Sequence, residues 1–322
     1  MRILLPLLLL LSLPAVAQLR WHNVDTAFQP LPSSVHVFMS TDSIEGKPNI
    51  AYYLVADLKD RRLSFTTDTS MNRRLTPSQF YERDAHPLAV VNCTFFSFET
   101  NRSLNLVIKN KKLLAYNINT ANVKKPDSSV ETVPVYHGAI GIDRKRNADV
   151  AWIKTDSGSK YAFASQVPLK NGKPKGNFFS PRTGEIKSVD MPVPDEYVFH
   201  LWKMKSAVGG GPVLLQNGEI HISNNEERKF MGKAINDRHP RTAMGYTADN
   251  KLVILVVQGR FPGLAEGASL IHLASILKDL GCVEALNLDG GGSSCLLVNG
   301  KQTITPSEKG IQRAVPAVFI IQ

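Results

Sequence analysis

Apolar and polar residues alternate with a period of two along most of the chain, the signature of half-buried strands. Residues 50–58 (IAYYLVADL) and 62–67 (RLSFTT) form two such runs, and the turn Lys59-Asp60-Arg61 predicts that they pair. Residues 88–91 (LAVV) predict a buried strand running into Asn92, and residues 104–116 a hairpin around 109–111. Residues 213–216 and 219–222 flank Asn217-Gly218, a strong two-residue hairpin signal. Residues 241–246 pair naturally with 252–257, and further strands are predicted at 283–288, 295–298 and 314–321. Two segments break the period. Thr76-Pro77-Ser78-Gln79 supplies an N-cap, a first-turn proline and a capping-box glutamine, so a short helix starts there. In 269–280 (SLIHLASILKDL), Leu270, Leu273, Ala274, Leu277 and Leu280 recur on one face, Ser269 can cap, and Gly281 stops the helix. Residues 120–135 and 155–200 are rich in Pro, Lys, Asp and Gly and read as long surface excursions. A strand–helix–strand segment inside a strand-rich chain predicts an α+β (mixed α/β) class, with a mixed β-sheet and few helices in a single domain.

Composition narrows the setting. At 322 residues and 43% hydrophobic, the chain can bury a substantial core, and no low-complexity tract interrupts it. Its start, MRILLPLLLLLSLPAVAQ, has the form of a secretory signal: Arg2, an apolar stretch over 3–13, and Ala15-Val16-Ala17 as the cleavage pattern. That stretch is shorter than the roughly 20 residues a membrane span needs, so no anchor is expected. The expected protein is exported, periplasmic or secreted, and begins at Gln18. The net charge is +10, and loss of Arg2 with residues 1–17 leaves +9 because no acid goes with it. The basic residues are scattered, with no basic helix and no interleaved aromatics, which argues against nucleic acid and for anionic glycans or phosphates. Cys93, Cys282 and Cys295 allow at most one internal disulfide and match no zinc spacing; buried free thiols are expected.

Candidate chemistry centres on NLDGGGSSCLLVNG at 287–300. Asp289 falls where a strand ends and a glycine run begins, and such glycines admit a ligand to the backbone and free its N–H groups as an anion nest. The run is neither a P-loop nor a dinucleotide fingerprint, since no Lys-Ser/Thr pair and no helix follow it. The plainer alternative is a tight strand connection with Asp289 capping its own turn. Other polar residues also lie at strand ends: Arg241, Gln258-Gly259-Arg260, Glu266-Gly267 and Gln312-Arg313. Gathered together they would offer three guanidiniums and two carboxylates, which suits a phosphate joined to a neutral polar group.

The series VVNCTFF (90–96), GGGPVL (209–214), HPRTAMG (239–245), QGR (258–260), EGASL (266–270) and NLDGGGSS (287–294) resembles the phosphodiester glycosidase family from about residue 88 to the C-terminus. With the signal segment at 1–17, the chain is expected to divide into an N-terminal strand-rich part of the same globular unit at 18–87 and, as the resemblance implies, a phosphodiester glycosidase-like domain at 88–322. It implies hydrolysis of a glycosyl phosphodiester at the sugar's anomeric carbon. Asp289 and Glu266 are the expected catalytic residues. Arg241, Arg260 and Arg313, with Asn92, Gly210, Gly290, Gly291 and Ser293, are expected to bind substrate and phosphate. Four departures stand out: Cys93-Thr94 after Asn92 where glycines are usual, Gln258 for an Asp, Cys295 for a Thr, and Gln312 for a Glu. No cofactor is expected; a divalent cation at Asp289 and Glu266 is a third alternative, left unassigned because no compact Asp/Asn loop of the calcium type is present. A phosphodiesterase that breaks P–O, or a non-catalytic envelope protein that binds anionic glycans, are the alternative readings.

Overall fold

The computed structural model describes residues 18–156, 158, 160–170 and 198–322, with the backbone of the short strands Lys173–Pro174, Asn177–Phe179 and Ile186–Ser188. The signal-like segment 1–17 and much of the 155–200 excursion lie outside the described residues. Three sheets dominate. The largest has eight strands, in the order His22–Asn23, Val35–Ser40, Ala51–Asp57, Lys251–Val257, Arg241–Thr247, Cys282–Asn287, Val213–Gln216 and Glu219–Ile220. A seven-stranded sheet contains His137–Asp143 and Met204–Gly209 as neighbours. A five-stranded sheet runs Lys301–Gln302, Leu296–Val298, Ala89–Asn92, Ala317–Ile321 and Phe65–Thr69. The alternating pattern therefore became strands, and the α-helices among the described residues are few: Pro77–Arg83, Asn224–Glu227 and Leu270–Asp279.

The sheets are not mixed. Every strand pairing in these three sheets is antiparallel. The strand–helix–strand segment suggested adjacent parallel strands, but Arg241–Thr247 lies between Lys251–Val257 and Cys282–Asn287 and bonds to both. Helix Leu270–Asp279 crosses over that middle strand, so the two flanking strands run the same way without touching. The predicted pair 50–58 with 62–67 also fails. Ala51–Asp57 pairs with Val35–Ser40 and Lys251–Val257 in the large sheet, whereas Phe65–Thr69 pairs with Ala317–Ile321 in the five-stranded one. Arg146 holds the crossing between sheets, donating to the carbonyls of Leu58, Asp60 and Leu63.

One apolar core joins the three sheets, with Trp152, Leu54, Val208, Met244, Leu288 and Phe319 all nearly inaccessible. The outer face of the large sheet is covered by Leu270–Asp279, whose Leu270, Leu273, Ala274 and Leu277 pack with Leu214, Leu255 and Val257. Each leucine so buried contributes about 1.5–3 kcal/mol. Ser269 caps this helix by accepting from the His272 N–H, and Thr76 caps Pro77–Arg83 with Gln79 completing the box. All three cysteines are free and buried, and burial pushes each thiol up to about 12. The excursion at 120–135 is a two-stranded ribbon, Thr120–Lys124 against Val130–Pro134.

Candidate active site

Strand ends from all three sheets meet at one place. Ala89–Asn92 finishes there from the five-stranded sheet, Met204–Gly209 from the seven-stranded one, and Arg241–Thr247 begins and Cys282–Asn287 ends there in the large sheet. Backbone and amide bonds lace the ends together. Gly211 N–H donates to the Asn287 carbonyl at 2.8 Å, and Asn287 Nδ2 returns a bond to the Gly211 carbonyl at 2.8 Å. Gly210 lies between them, donating to the Gly138 carbonyl at 2.9 Å and accepting from Asn105 Nδ2 at 3.2 Å. Leu288 N–H bonds the Thr242 carbonyl, and Asp289 N–H bonds the Cys93 carbonyl at 2.8 Å.

Asn92 is fully buried and serves as the hub. Its Nδ2 donates to the Asp289 carbonyl at 2.6 Å, while its Oδ1 accepts from Thr242 Oγ1 at 2.9 Å and Cys295 N–H at 3.1 Å. Three hydrogen bonds of one amide thus fix the start and finish of the glycine loop against the neighbouring strand. The loop itself makes a single 3₁₀ turn over Gly291–Ser293. Its N–H groups do not form the expected anion nest. Gly291 N–H goes to the Pro240 carbonyl at 2.8 Å, and the Ser293 and Ser294 N–H groups go back to Gly290 and Gly291. Gly290 N–H bonds the Asp289 carboxylate.

The arginines do gather at this loop. Arg260 sets its guanidinium against the Cα of Gly291, and Arg313 sets its own against Gly292. Arg260 makes no hydrogen bond or ion pair among the described residues, and its φ of +65° holds it off the regular strand. Arg313 donates to Ser293 Oγ at 3.4 Å and pairs with Glu308. Arg241 is 4% exposed, with its Cα beside Gly290, but its guanidinium turns to the carbonyls of Ala268 and Asp237 at 2.9 and 2.8 Å. No carboxylate pairs with Arg241 among the described residues, and burial, aided by the charge of Arg260, pushes it down to about 10. His239 is lowered too, by burial and then by Arg241 and Arg260. Positive charge is thus concentrated at the loop and only partly answered by carboxylates, which raises the local potential.

Asp289 is half-buried at the foot of the loop, bonded to Ser293 Oγ, and desolvation pushes its carboxyl up to about 6 against the opposing pull of Lys229 and Arg313. Ser293 is buried. Glu266 behaves differently. It accepts from Gly263 N–H at 3.3 Å within its own loop and makes no bond to Asp289 or to the arginines among the described residues. The two glutamines that stand where the family has acids are also engaged elsewhere. Gln258 Oε1 accepts from Thr305 N–H at 2.8 Å, and Gln312 bonds both the N–H and the hydroxyl of Ser78. No group of three or more metal-ligating side chains occurs among the described residues.

Lys229 is a site residue that sequence reasoning missed. Its Nζ lies 3.6 Å over the Phe95 ring centroid and 3.4 Å from Asn105 Oδ1, and burial pushes it down to about 8 while Glu227 and Asp289 pull it up. Glu227 behind it is inaccessible, and accepts from Gly138 N–H, Val213 N–H, Ser223 Oγ and Trp152 Nε1 at 2.6–3.2 Å. Asn224 clamps Phe230 with reciprocal bonds of 2.9 Å, which fixes the direction in which Lys229 leaves its one-turn helix.

Residues 168–322 match the phosphodiester glycosidase family model. A segment of 81 residues is 42% identical to the SPbeta prophage-derived uncharacterized protein YomE of Bacillus subtilis, covering 25% of this chain and 12% of that one. A segment of 103 residues is 30% identical to the N-acetylglucosamine-1-phosphodiester alpha-N-acetylglucosaminidase of Mus musculus, covering 30% of this chain and 20% of the enzyme. Among solved structures, the catalytic domain of the zebrafish enzyme of that name superimposes with a TM-score of 0.55 over 91% of this chain and 85% of the other, at 20% identity. A hypothetical protein from Synechocystis gives 0.59 over 96% of this chain and 68% of the other, at 16% identity. At such identities the structural likeness is one of fold. The resemblance carried by the motifs is thereby borne out over residues 168–322, which are similar to the phosphodiester glycosidase family.

Proposed function

We propose that this protein hydrolyses the bond between a sugar's anomeric carbon and the phosphate oxygen of a glycosyl phosphodiester. The observation that carries the reading is the placement of the Arg260 and Arg313 guanidiniums on the glycine turn next to Asp289. An alkoxide leaving group needs a strong proton donor, but a phosphate monoester leaves as a stable anion, so the chemical demand falls on stabilising charge. Arg260 and Arg313 supply it at the loop, Lys229 from the Phe95 side, and buried Arg241 adds positive potential from behind. Binding of the phosphate requires Arg313 to share Glu308 or let it swing away. Water attacks the anomeric carbon, the C–O bond to phosphate breaks, and the proton lost by water passes to the Asp289 carboxylate. With a pKa near 6 that carboxylate is mostly ionised at neutral pH and still basic enough for the task. Glu266 we assign to holding the 261–266 loop rather than to the chemistry.

We also infer that the chain is exported, on the strength of the charge, apolar stretch and small-residue pattern in residues 1–17. Sequencing the N-terminus of the mature protein is expected to start at Gln18. For the reaction, turnover of sugar-1-phosphodiesters in oxygen-18 water is the direct test. The reading expects free reducing sugar that carries the label and an unlabelled phosphomonoester. Label in phosphate would mean P–O cleavage, and saturable binding with no turnover would mean a binding protein; either result overturns the proposal.

A further inference from the structure

Beyond Arg313 the surface carries an aromatic ring between two cations. Phe98, on the loop closed by the Phe96–Ser103 bridge, is 61% exposed. The guanidinium carbon of Arg313 lies 5.4 Å from its ring centroid and that of Arg74 lies 5.1 Å from it. Phe96 backs the arrangement, its ring 4.8 Å from that of Phe98 and 5.6 Å from Arg74. Arg74 is half-buried and makes no hydrogen bond or ion pair among the described residues. The neighbouring acid, Glu99, is exposed and pairs with neither arginine. An exposed aromatic face takes the C–H side of a sugar ring, and a guanidinium without a carboxylate takes phosphate. Phe98 thus touches Arg313 of the loop and Arg74 beyond it.

We propose that Arg74 and Phe98 form a subsite for the next sugar and phosphate on the aglycone side, so that the favoured substrate is a polyanionic chain of alternating sugars and phosphates rather than an isolated diester. This rests on the proposed hydrolase activity. The net charge of +9 left after loss of residues 1–17 would steer such a polyanion inward.

The test compares kcat/KM, at low ionic strength, for two synthetic glycosyl phosphodiesters of the same leaving phosphate. In one the phosphate carries only a methyl ester on its far side; in the other it carries a further sugar phosphate. The two-phosphate substrate is expected to be favoured by about tenfold, mainly through KM, and the advantage is expected to shrink as salt screens it. Arg74→Ala is expected to remove the advantage while kcat/KM for the one-phosphate substrate stays at the wild-type value, and Phe98→Ala is expected to remove the advantage too. Arg74→Gln, which keeps length and polarity, serves as the control for folding and is expected to behave as Arg74→Ala. Equal rates on the two substrates with one-phosphate activity present would overturn the subsite and leave the hydrolase reading standing, as would an advantage that survives Arg74→Ala. Turnover of neither substrate by folded protein would overturn the hydrolase reading, and the subsite with it.

Discussion

Two glycine turns in this molecule look alike in sequence and differ in physics. At Asn217-Gly218 both residues have positive φ, 52° and 79°, as a two-residue hairpin between Val213–Gln216 and Glu219–Ile220 requires. A Cβ placed on Gly218 would meet nothing within 4 Å. At Gly290–Gly292 only Gly291 is left-handed, with φ of 60°. Gly290 has no room, because a Cβ would come within 2.8 Å of the Pro240 carbonyl oxygen, and a Cβ on Gly292 would run into the Arg313 guanidinium and Glu308. Glycine at the first turn answers a torsional demand. At the second it answers a demand for space, and the group that takes the space is an arginine beside Asp289.

That contrast can be attacked experimentally, and the loop side should give the larger effects. Asp289→Asn keeps the shape of the side chain and removes the base, so kcat/KM for a glycosyl phosphodiester is expected to fall by about 10²–10⁴-fold with little change in melting temperature. Near-wild-type turnover would take the chemistry away from the glycine loop and leave it a connection like the hairpin. Gly292→Ala comes next. The added methyl meets the far end of a flexible arginine, so Arg313 can move and the fold survives, but the cation leaves its place against the loop. A drop of about a hundredfold in kcat/KM is expected, the usual effect of losing one charge-stabilising donor. If Gly292→Ala were kinetically silent, the distinction between the two turns would collapse.

A pH profile sharpens the same point. Asp289 must be ionised to accept a proton, and burial has raised it to about 6, so kcat/KM is expected to climb with pH through an acid limb near that value. Lys229, Arg313 and Ser293 face the carboxylate and favour its ionised form, while Cys93 stays a neutral thiol nearby. Glu227, and beyond it His137, lie on the far side of Lys229. Removing the ammonium in Lys229→Met therefore raises the Asp289 pKa, and the acid limb is expected to shift to higher pH. A limb that stays put, or moves down, would show that Lys229 does not act on Asp289.

What could be read beforehand follows the range of the interactions involved. Thr76 with Gln79, and Ser269 ahead of its leucine stripe, act within a few residues, and both helices begin where the sequence places them. The hairpin at Asn217-Gly218 is equally local. Phe65–Thr69 was given the wrong partner because its true one, Ala317–Ile321, is some 250 residues away, and alternation shows which face is buried but not against which strand. The gathering of Arg260, Arg313 and Asn92 at the glycine loop was anticipated through motif order, which carries long-range information that periodicity lacks. Glu227 and Lys229 escaped. They sit in NNEERKF, a charged stretch with no apolar period that reads as solvated surface, and only the folded chain shows Glu227 receiving four donors in the interior. Glu266 errs in the opposite direction: its motif was legible, but the folded loop turns its carboxylate to Gly263.

The smallest effect belongs to the hairpin, and it completes the contrast. Gly218→Ala puts a Cβ on a residue at φ of 79°, a torsion that costs an L-residue about 1 kcal/mol, yet the methyl has open space around it. The penalty is therefore conformational and local. The melting temperature is expected to drop by about 2–4 °C. Strand Val213–Gln216 is held on its other edge by Cys282–Asn287, so the strain has no route to Asp289 that does not first break that ladder. Accordingly kcat/KM is expected to match wild type at any temperature well below the transition. Calorimetry and kinetics on one preparation check both halves, and a loss of activity without a loss of stability would mean that the hairpin, too, is part of the site.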